Sequence, residues 1–187
     1  VLHITGITPA LSESCREAVF KAVELARKHQ VKVSFDPNLR LKLWSLEEAK
    51  QVLLPLAEMA DYFLPGLEEL QLLYGTENWD AIFSNLKQLR GTSIVKGGKN
   101  KTIVVNGAEQ FSVSYTPVDR VVDPVGAGDA FCAGFLVGII KGWELEQAVH
   151  LGNLSGSIVI RGYGDWEALP YWEALQALMQ NEKPIER

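Results

Sequence analysis

The chain alternates short apolar strands with amphipathic helices, and this alternation limits the folds that it can adopt. Residues 1–5 and 31–35 read as strands. Between them, Val19, Val23 and Ala26 recur at the spacing of one helix face. Because parallel strands need a long crossover connection, this strand–helix–strand order predicts a βαβ unit. The sequence therefore predicts an α/β protein with a mostly parallel sheet.

Two signals compete for the start of the first helix. Thr8 followed by Pro9 is typical of an N-cap with proline at the first helical position. Ser14 with Glu17 three residues later is typical of a capping box. The sequence leaves both open. Further along, residues 45–48 read Ser-Leu-Glu-Glu and predict a capping box at the start of a later helix.

The rest of the chain continues the alternation and adds a hairpin. Asn106-Gly107 lies between two apolar runs and predicts a type I′ turn, which would give the sheet an antiparallel edge. We expect one domain over residues 1–187, with helices on both faces of the sheet. Further strands are predicted at 62–64, 92–95, 102–105 and 110–115, and further helices at 79–89, 127–140, 145–159 and 171–179.

Charge and cysteine content exclude several classes of protein. The net charge of −5 argues against nucleic acid or an anionic membrane as the main partner. No apolar run approaches the roughly 20 residues that would span a bilayer. Cys15 and Cys132 are far apart and lack metal-ligand spacing, so we expect free thiols in a cytoplasmic protein. The sequence leaves self-association open.

Residues 123–131, Asp-Pro-Val-Gly-Ala-Gly-Asp-Ala-Phe, carry the strongest chemical signal. A glycine-rich turn before a helix leaves backbone N–H groups unpaired, and the helix N-terminus favours negative charge, so this segment predicts an anion hole. An ionised Asp129 beside such a hole is suited to accept the proton of a hydroxyl group during phosphoryl transfer. The alternative is that Asp129 only caps the helix.

This nine-residue segment resembles the catalytic signature of the ribokinase-like (PfkB) carbohydrate kinases. The resemblance implies a three-layer α/β/α sandwich and ATP-dependent phosphorylation of a sugar hydroxyl with Mg²⁺. In that mechanism Asp129 is the base, and the N–H groups of Gly126, Ala127 and Gly128 stabilise the transferring group. Asp123 would support the magnesium water shell. A requirement for a monovalent cation stays open.

Three loops that follow predicted strands matter because open α/β sheets bind ligands at the carboxyl ends of their strands. In the first, Asp36, Asn38 and Arg40 form a candidate substrate site. The guanidinium of Arg40 suits a carboxylate or a phosphate. The alternatives are an Asx turn for Asp36 and Asn38, and a solvated surface position for Arg40.

The other two loops match the family pattern less completely. Glu69 lies where the family carries a glutamate linked to magnesium and phosphate, but Gly66 replaces the expected asparagine. The resemblance implies that Lys96 and Gly98 lie near the nucleotide phosphates and that Asn153 lines the adenine pocket. A surface position for Glu69, a tight turn at Lys96 and an ordinary helix position for Asn153 remain the alternatives.

Within the family, the resemblance is greatest to members that phosphorylate the sugar acid 2-keto-3-deoxygluconate. It rests on residues 6–12 and 35–40, with Leu43-Trp44 following, and it implies that Arg40 binds the sugar-acid carboxylate. The chain begins where the middle of such a kinase would lie, so we expect a C-terminal part without the N-terminal strands and the β lid. We expect this part to be inactive alone. The alternatives are a fructokinase or related sugar kinase, and an inactive nucleotide-binding or assembly module.

Overall fold

The computed structural model describes residues 1–98 and 100–181. No helix in these ranges is long and apolar enough to cross a membrane. The strands are β1 (Leu2–Thr5), β2 (Val33–Asp36), β3 (Tyr62–Phe63), β4 (Thr92–Gly98), β5 (Lys101–Asn106) and β6 (Glu109–Ser114). The helices are α1 (Ile7–Leu11), α2 (Glu13–Lys28), α3 (Leu46–Met59), α4 (Leu67–Tyr74), α5 (Trp79–Leu86), α6 (Ala127–Ile140), α7 (Leu145–Val159) and α8 (Trp172–Asn181).

The sheet has its strands in chain order, from β1 to β6. Strands β1 to β4 are parallel neighbours, and β4 pairs antiparallel with β5. The fold is therefore of the mixed α/β class with a mostly parallel sheet, as the sequence predicts. The register places Thr5 beside Asp36 and Phe35 beside Phe63. As a result, the loops after β1 to β4 leave the sheet at one shared edge.

The chain packs as two compact units, unit one (Val1–Ser112) and unit two (Val113–Arg187). The single domain over 1–187 stays a prediction. In unit one, helices α2 to α5 pack their apolar faces on β2, β3 and β4, and the rings of Phe35 and Phe63 stack 5.7 Å apart. The fully buried side chains of this core include Val23, Val33, Leu53, Leu56, Leu70, Ile82 and Val95.

Capping residues set the helix starts, but not always the capping residues that the sequence pattern predicts. Both predicted starts of the first helix are wrong. Pro9 lies inside the short helix α1, and α2 begins after Ser12, whose hydroxyl accepts a hydrogen bond from the Cys15 N–H at 3.1 Å. Pro9 is tolerated there because a first-turn N–H has no partner within its helix. The capping box between Ser45 and Glu48 is confirmed.

The hairpin is confirmed, but its predicted turn type is wrong. A type I′ turn needs a positive φ at both central residues. Between β5 and β6, Gly107 alone has a positive φ, of 57°, and Ala108 takes the second central position. Glycine at the first central position is typical of a type II′ turn. The loop is therefore shifted by one residue from Asn106-Gly107 to Gly107-Ala108.

Unit two is built on the close packing of α6 against α7. Both helices have the bounds that the sequence predicts. A Cβ at Gly134 would lie 2.7 Å from the Leu151 carbonyl oxygen, so the two backbones approach too closely for a larger residue. On the far side of α7, Leu151 and Leu154 pack with Leu175 of α8. This packing fixes the position from which α6 begins.

Candidate active site

In unit one, the carboxyl ends of β2 and β4 bring together a buried ion pair. Lys96 Nζ lies 2.6 Å from Asp36 Oδ2, and the two side chains are 17% and 6% exposed. The other carboxylate oxygen, Asp36 Oδ1, accepts the Asn38 N–H at 3.0 Å. This is the Asx turn that the sequence offers as the alternative to substrate binding. Lys96 is therefore paired with a carboxylate, and its contact with nucleotide phosphates stays a prediction.

Glu69 lies in the first turn of α4, beside this pair, and both of its carboxylate oxygens accept backbone N–H groups. Oε2 accepts from Gly66 and Oε1 accepts from Leu39, each at 2.6 Å. Burial raises the pKa of Glu69, and the neighbouring Asp36 carboxylate raises this pKa further, while the two N–H donors and Lys96 oppose the shift. Gly66, which replaces the family asparagine, takes part through its backbone only.

Arg40 follows this cluster on the loop after β2. The Arg40 side chain is exposed, and its Nη1 donates to the Leu39 carbonyl oxygen at 3.3 Å. Asn38 is partly buried and has a φ of 39°, in the left-handed region. Gly98 is buried at the end of β4, paired in register with Lys101. The substrate role of Asp36, Asn38 and Arg40 and the nucleotide role of Gly98 stay predictions.

In unit two, the glycine-rich turn enters α6 through a left-handed residue. Gly126 has a φ of 79° and is the N-cap of α6. A Cβ at this position would lie 2.5 Å from the Asp165 carbonyl oxygen and 2.7 Å from Asp165 Cα. Glycine is therefore required both for the backbone conformation and for the close approach of the segment around Asp165.

The first turn of α6 offers hydrogen-bond donors. The Ala127 N–H donates to the Pro124 carbonyl oxygen at a long distance of 3.4 Å. Within the described part of the chain, the N–H groups of Gly126, Gly128 and Asp129 have no acceptor. These free donors and the helix N-terminus can hold an anion, as the sequence predicts for this turn. Sequence reasoning missed the Asp129 N–H, although every helix leaves its first N–H groups without partners.

Asp129 projects from this turn as an exposed side chain. In the part of the chain that the structure describes, α6 has no side-chain cap hydrogen bond at its N-cap, Gly126. Over the ranges that the structure covers, its carboxylate has no hydrogen-bond or ion-pair partner. A carboxylate with free lone pairs beside free N–H donors can accept a proton next to a bound anion. The base role of Asp129 stays a prediction.

Asp123 braces the turn from the other side. Its Oδ1 accepts the Val125 N–H at 3.0 Å, and its Oδ2 accepts the Gly164 N–H at 3.3 Å. The Val122 N–H also donates to the Ile160 carbonyl oxygen at 2.7 Å. The segment before α6 is thus tied to the segment after α7, a contact that no local pattern in the sequence signals.

Asn153 lies on α7 and is 5% exposed. Its Nδ2 donates to the carbonyl oxygens of Val113 at 3.3 Å and Ser114 at 3.1 Å. The amide therefore ties α7 to the chain at the end of β6. Its predicted contact with adenine stays a prediction.

Backbone N–H groups engage both carboxylates that the sequence links to magnesium, Glu69 in unit one and Asp123 in unit two. Each of the four carboxylate oxygens already accepts a backbone N–H. Among residues 1–98 and 100–181, no group of three or more acidic, histidine or cysteine side chains could hold a metal ion. The role of Glu69 and Asp123 in supporting the water shell of magnesium stays a prediction.

The sequence resembles known carbohydrate kinases over most of its length. The model of the family described as pfkB family carbohydrate kinase matches residues 1–171. The 2-dehydro-3-deoxygluconokinase of Bacillus subtilis is 35% identical over 187 residues, which cover 98% of this chain and 57% of that protein. The 5-dehydro-2-deoxygluconokinase 1 of Bacillus cereus is 32% identical over 195 residues, covering 98% and 57%.

Solved structures show the same fold. The fructokinase from Vibrio cholerae O395, with fructose, ADP and calcium bound, has a TM-score of 0.87 at 29% identity and covers 94% of this chain and 59% of its own. A PfkB protein from Polaromonas sp. JS666 has a TM-score of 0.81 at 32% identity, covering 95% and 56%. The chain therefore spans somewhat more than half the length of the relatives that it matches. By the match over residues 1–171, this chain belongs to the pfkB family of carbohydrate kinases.

Proposed function

We propose that this chain is part of an ATP-dependent sugar-acid kinase whose substrate is 2-keto-3-deoxygluconate, also named 2-dehydro-3-deoxygluconate. The observation that carries the proposal is the first turn of α6, where, within the described residues, neither the Asp129 carboxylate nor the N–H groups of Gly126 and Gly128 have a partner. The family membership and the 35% identity to a 2-dehydro-3-deoxygluconokinase support the substrate. Among the described residues, Cys15 and Cys132 form no disulfide, and a cytoplasmic setting is part of the proposal.

In the proposed reaction, Asp129 accepts the proton of the sugar hydroxyl. The hydroxyl oxygen then forms its bond to the γ-phosphorus of ATP while the bond from that phosphorus to the leaving ADP oxygen breaks. The N–H groups of Gly126, Gly128 and Asp129 stabilise negative charge on the transferring phosphoryl group. Mg²⁺ bound to the nucleotide would neutralise phosphate charge, and solved relatives contain nucleotide with Mg²⁺ or calcium.

Arg40 supplies the substrate preference in this proposal. Its guanidinium is exposed and, in the described ranges, is held only by a 3.3 Å hydrogen bond to Leu39. Such a group can form two parallel hydrogen bonds with a carboxylate. A neutral sugar has no carboxylate to pair with it. Arg40 therefore favours a sugar acid over a neutral sugar.

A substrate panel tests the proposal in a complete kinase that contains this chain. Formation of ADP and of the phosphorylated product is measured with 2-keto-3-deoxygluconate and with fructose. We expect turnover with the sugar acid and little with fructose. The converse result would favour a fructokinase, a second candidate supported by the structural match to the Vibrio enzyme.

ATP binding and phosphoryl transfer should also be measured separately for the 187 residues alone. The chain covers 57% of the 2-dehydro-3-deoxygluconokinase that it resembles, and we expect no turnover from it. Turnover at about 1–100 per second, the usual range of kinases, would contradict this expectation. ATP binding without transfer, if it persists in the complete protein, would favour a nucleotide-binding module over an enzyme.

A further inference from the structure

The loop that carries Arg40 is held by two carboxylates from different parts of unit one. The Asn38 N–H donates to Asp36 Oδ1 at 3.0 Å, and the next N–H, of Leu39, donates to Glu69 Oε1 at 2.6 Å. Between these two contacts the backbone turns through Asn38, whose φ is 39°. Asparagine adopts this left-handed conformation more readily than most residues other than glycine, and the contacts on either side hold it there.

Glu69 joins two segments that are distant in sequence. While Oε1 holds the loop after β2, Oε2 accepts the Gly66 N–H at the start of α4, also at 2.6 Å. Hydrogen bonds to an ionised carboxylate are about twice as strong as those between neutral groups. The Glu69 carboxylate therefore links the Arg40 loop to the start of helix α4.

We propose that Glu69 is a positioning residue, whose carboxylate holds the Leu39 N–H and so fixes the loop that presents Arg40 to the carboxylate of the substrate. The inference rests on the proposed function for the identity of that substrate. Arg40 Nη1 donates to the carbonyl oxygen of the same Leu39, so a shift of this residue moves the guanidinium with it. Both oxygens of Glu69 are used in this way, one on each of the two segments.

Amide hydrogen exchange on the 187-residue chain tests the first half of the proposal without any need for activity. Glu69→Gln removes the charge and leaves a single neutral acceptor oxygen, so the side chain can accept from at most one of the two N–H groups. We expect exchange at Leu39 to become about tenfold faster or more, because a charged hydrogen bond is lost. Exchange at Asn38, still held by Asp36, should change much less.

Glu68→Gln is the matched control, since Glu68 is the exposed neighbour of Glu69 in the first turn of α4. This variant should leave exchange at Leu39 unchanged. The proposal is overturned if Leu39 is unaffected in Glu69→Gln, or if the amides of the whole unit accelerate together. Should Glu69→Gln fail to fold, the unmodified chain still decides, because the proposal requires slow exchange at Leu39 and fast exchange at Arg40.

Kinetic measurements in a complete kinase test the second half of the proposal, that the loop held by Glu69 presents Arg40 to the substrate. Glu69→Gln should raise KM for 2-keto-3-deoxygluconate about tenfold, with KM for ATP and the half-saturating magnesium concentration unchanged. In the Arg40→Ala background the same change should have little further effect, since both substitutions remove one interaction. A raised magnesium requirement with an unchanged KM for the acid would overturn the proposal. If Glu69 holds Leu39 but the sugar acid is not a substrate, the proposed function fails. The hydrogen bond from the Leu39 N–H to Glu69 would still be supported as the contact that holds the Arg40 loop.

Discussion

Unit one and the first turn of α6 in unit two use their charged groups in different ways. In unit one, Asp36 and Glu69 are wholly or partly buried, and all four of their oxygens accept hydrogen bonds from named donors. In unit two, Asp129 is exposed and has no partner among the residues that the structure covers. The carboxylates of Asp36 and Glu69 are engaged in hydrogen bonds that hold the fold, whereas the Asp129 carboxylate can bind a ligand or accept a proton.

This difference separates positioning from chemistry. A general base needs a free lone pair within reach of the proton that it removes. A carboxylate that holds two backbone N–H groups keeps further lone pairs, but those bonds fix its orientation and favour its ionised form. On this difference rest the proposals that Asp129 is the base and that Glu69 holds the Arg40 loop, although sequence patterns suggest a functional role for both.

The largest effect on turnover should come from substitution of Asp129. Asp129→Asn in a complete kinase should lower turnover by about 10²-fold to 10⁴-fold, the usual contribution of a positioned general base. The affinity for ATP, measured by calorimetry, should change little. Glu146→Gln, an exposed acidic residue in the first turn of α7, is the control and should retain activity. A loss confined to ATP binding would remove the base assignment.

The turn that presents Asp129 can be broken through its glycine. Gly126→Ala should lower the free energy of unfolding by about 2–4 kcal/mol, because it adds left-handed strain to overlap with Asp165. Gly142→Ala is the matched control, since its φ is 73° but, apart from its chain neighbours, no heavy atom of the described residues lies within 4 Å of the added Cβ. It should cost only about 1–2 kcal/mol. Equal losses in urea unfolding would show that the segment around Asp165 does not brace the turn.

A smaller effect is expected at Arg40, which unit one positions without burying. Arg40→Ala should raise KM for 2-keto-3-deoxygluconate about tenfold to a hundredfold, as for the loss of a charged hydrogen bond. Arg40→Lys should restore part of this, because an ammonium group lacks the two-pronged geometry. Arg27→Ala, at an exposed site on α2, should have no effect. An equal loss with a neutral sugar would identify Arg40 as a structural or phosphate-binding residue.

The smallest effect is expected at Asp61, which lies at the opposite edge of the sheet, where β3 begins. Burial would raise the pKa of Asp61, but hydrogen bonds from the Val33 N–H and Lys32, with the nearby Arg90 charge, hold this pKa below its ordinary value. The folded protein then binds fewer protons than the unfolded chain, so this stabilisation is present above the ordinary pKa and is lost as the pH falls through the folded-state value.

Urea unfolding at several acidic pH values measures this contribution. The stability difference between the unmodified chain and Asp61→Asn should shrink as the pH falls, while exposed Asp80→Asn on α5 controls for the loss of a surface charge. A difference that stays constant with pH would show that Asp61, unlike the other carboxylates of unit one, does no structural work through its charge.

Features that depend on neighbours along the chain could be predicted from the sequence. Helices α6 and α7 have the bounds that their apolar patterns predict, and the Ser45 capping box forms as its spacing requires. The turn before α6 follows from its glycines. These features need only a few consecutive residues, so a single sequence contains the information.

Errors arose where the sequence offers more than one local signal for the same helix start or turn. The first helix is capped by Ser12, although Thr8 and Ser14 carry comparable patterns. The hairpin turn is centred on Gly107-Ala108, although Asn106-Gly107 is the stronger local signal. In both cases the register of the neighbouring strands and helices selects among turns of similar energy.

The sequence by itself determined the α/β class, the family signature at 123–131 and the types of residue available for catalysis. Only the tertiary structure decided which of these residues remain available. Asp36 meets Lys96 across 60 residues, and Glu69 meets Leu39 across 30, because parallel strands bring their carboxyl ends to one edge. Asp129 stays free because nothing packs onto it within the described chain. A side chain's chemistry depends on which hydrogen bonds it already makes, and most of those partners are distant in sequence.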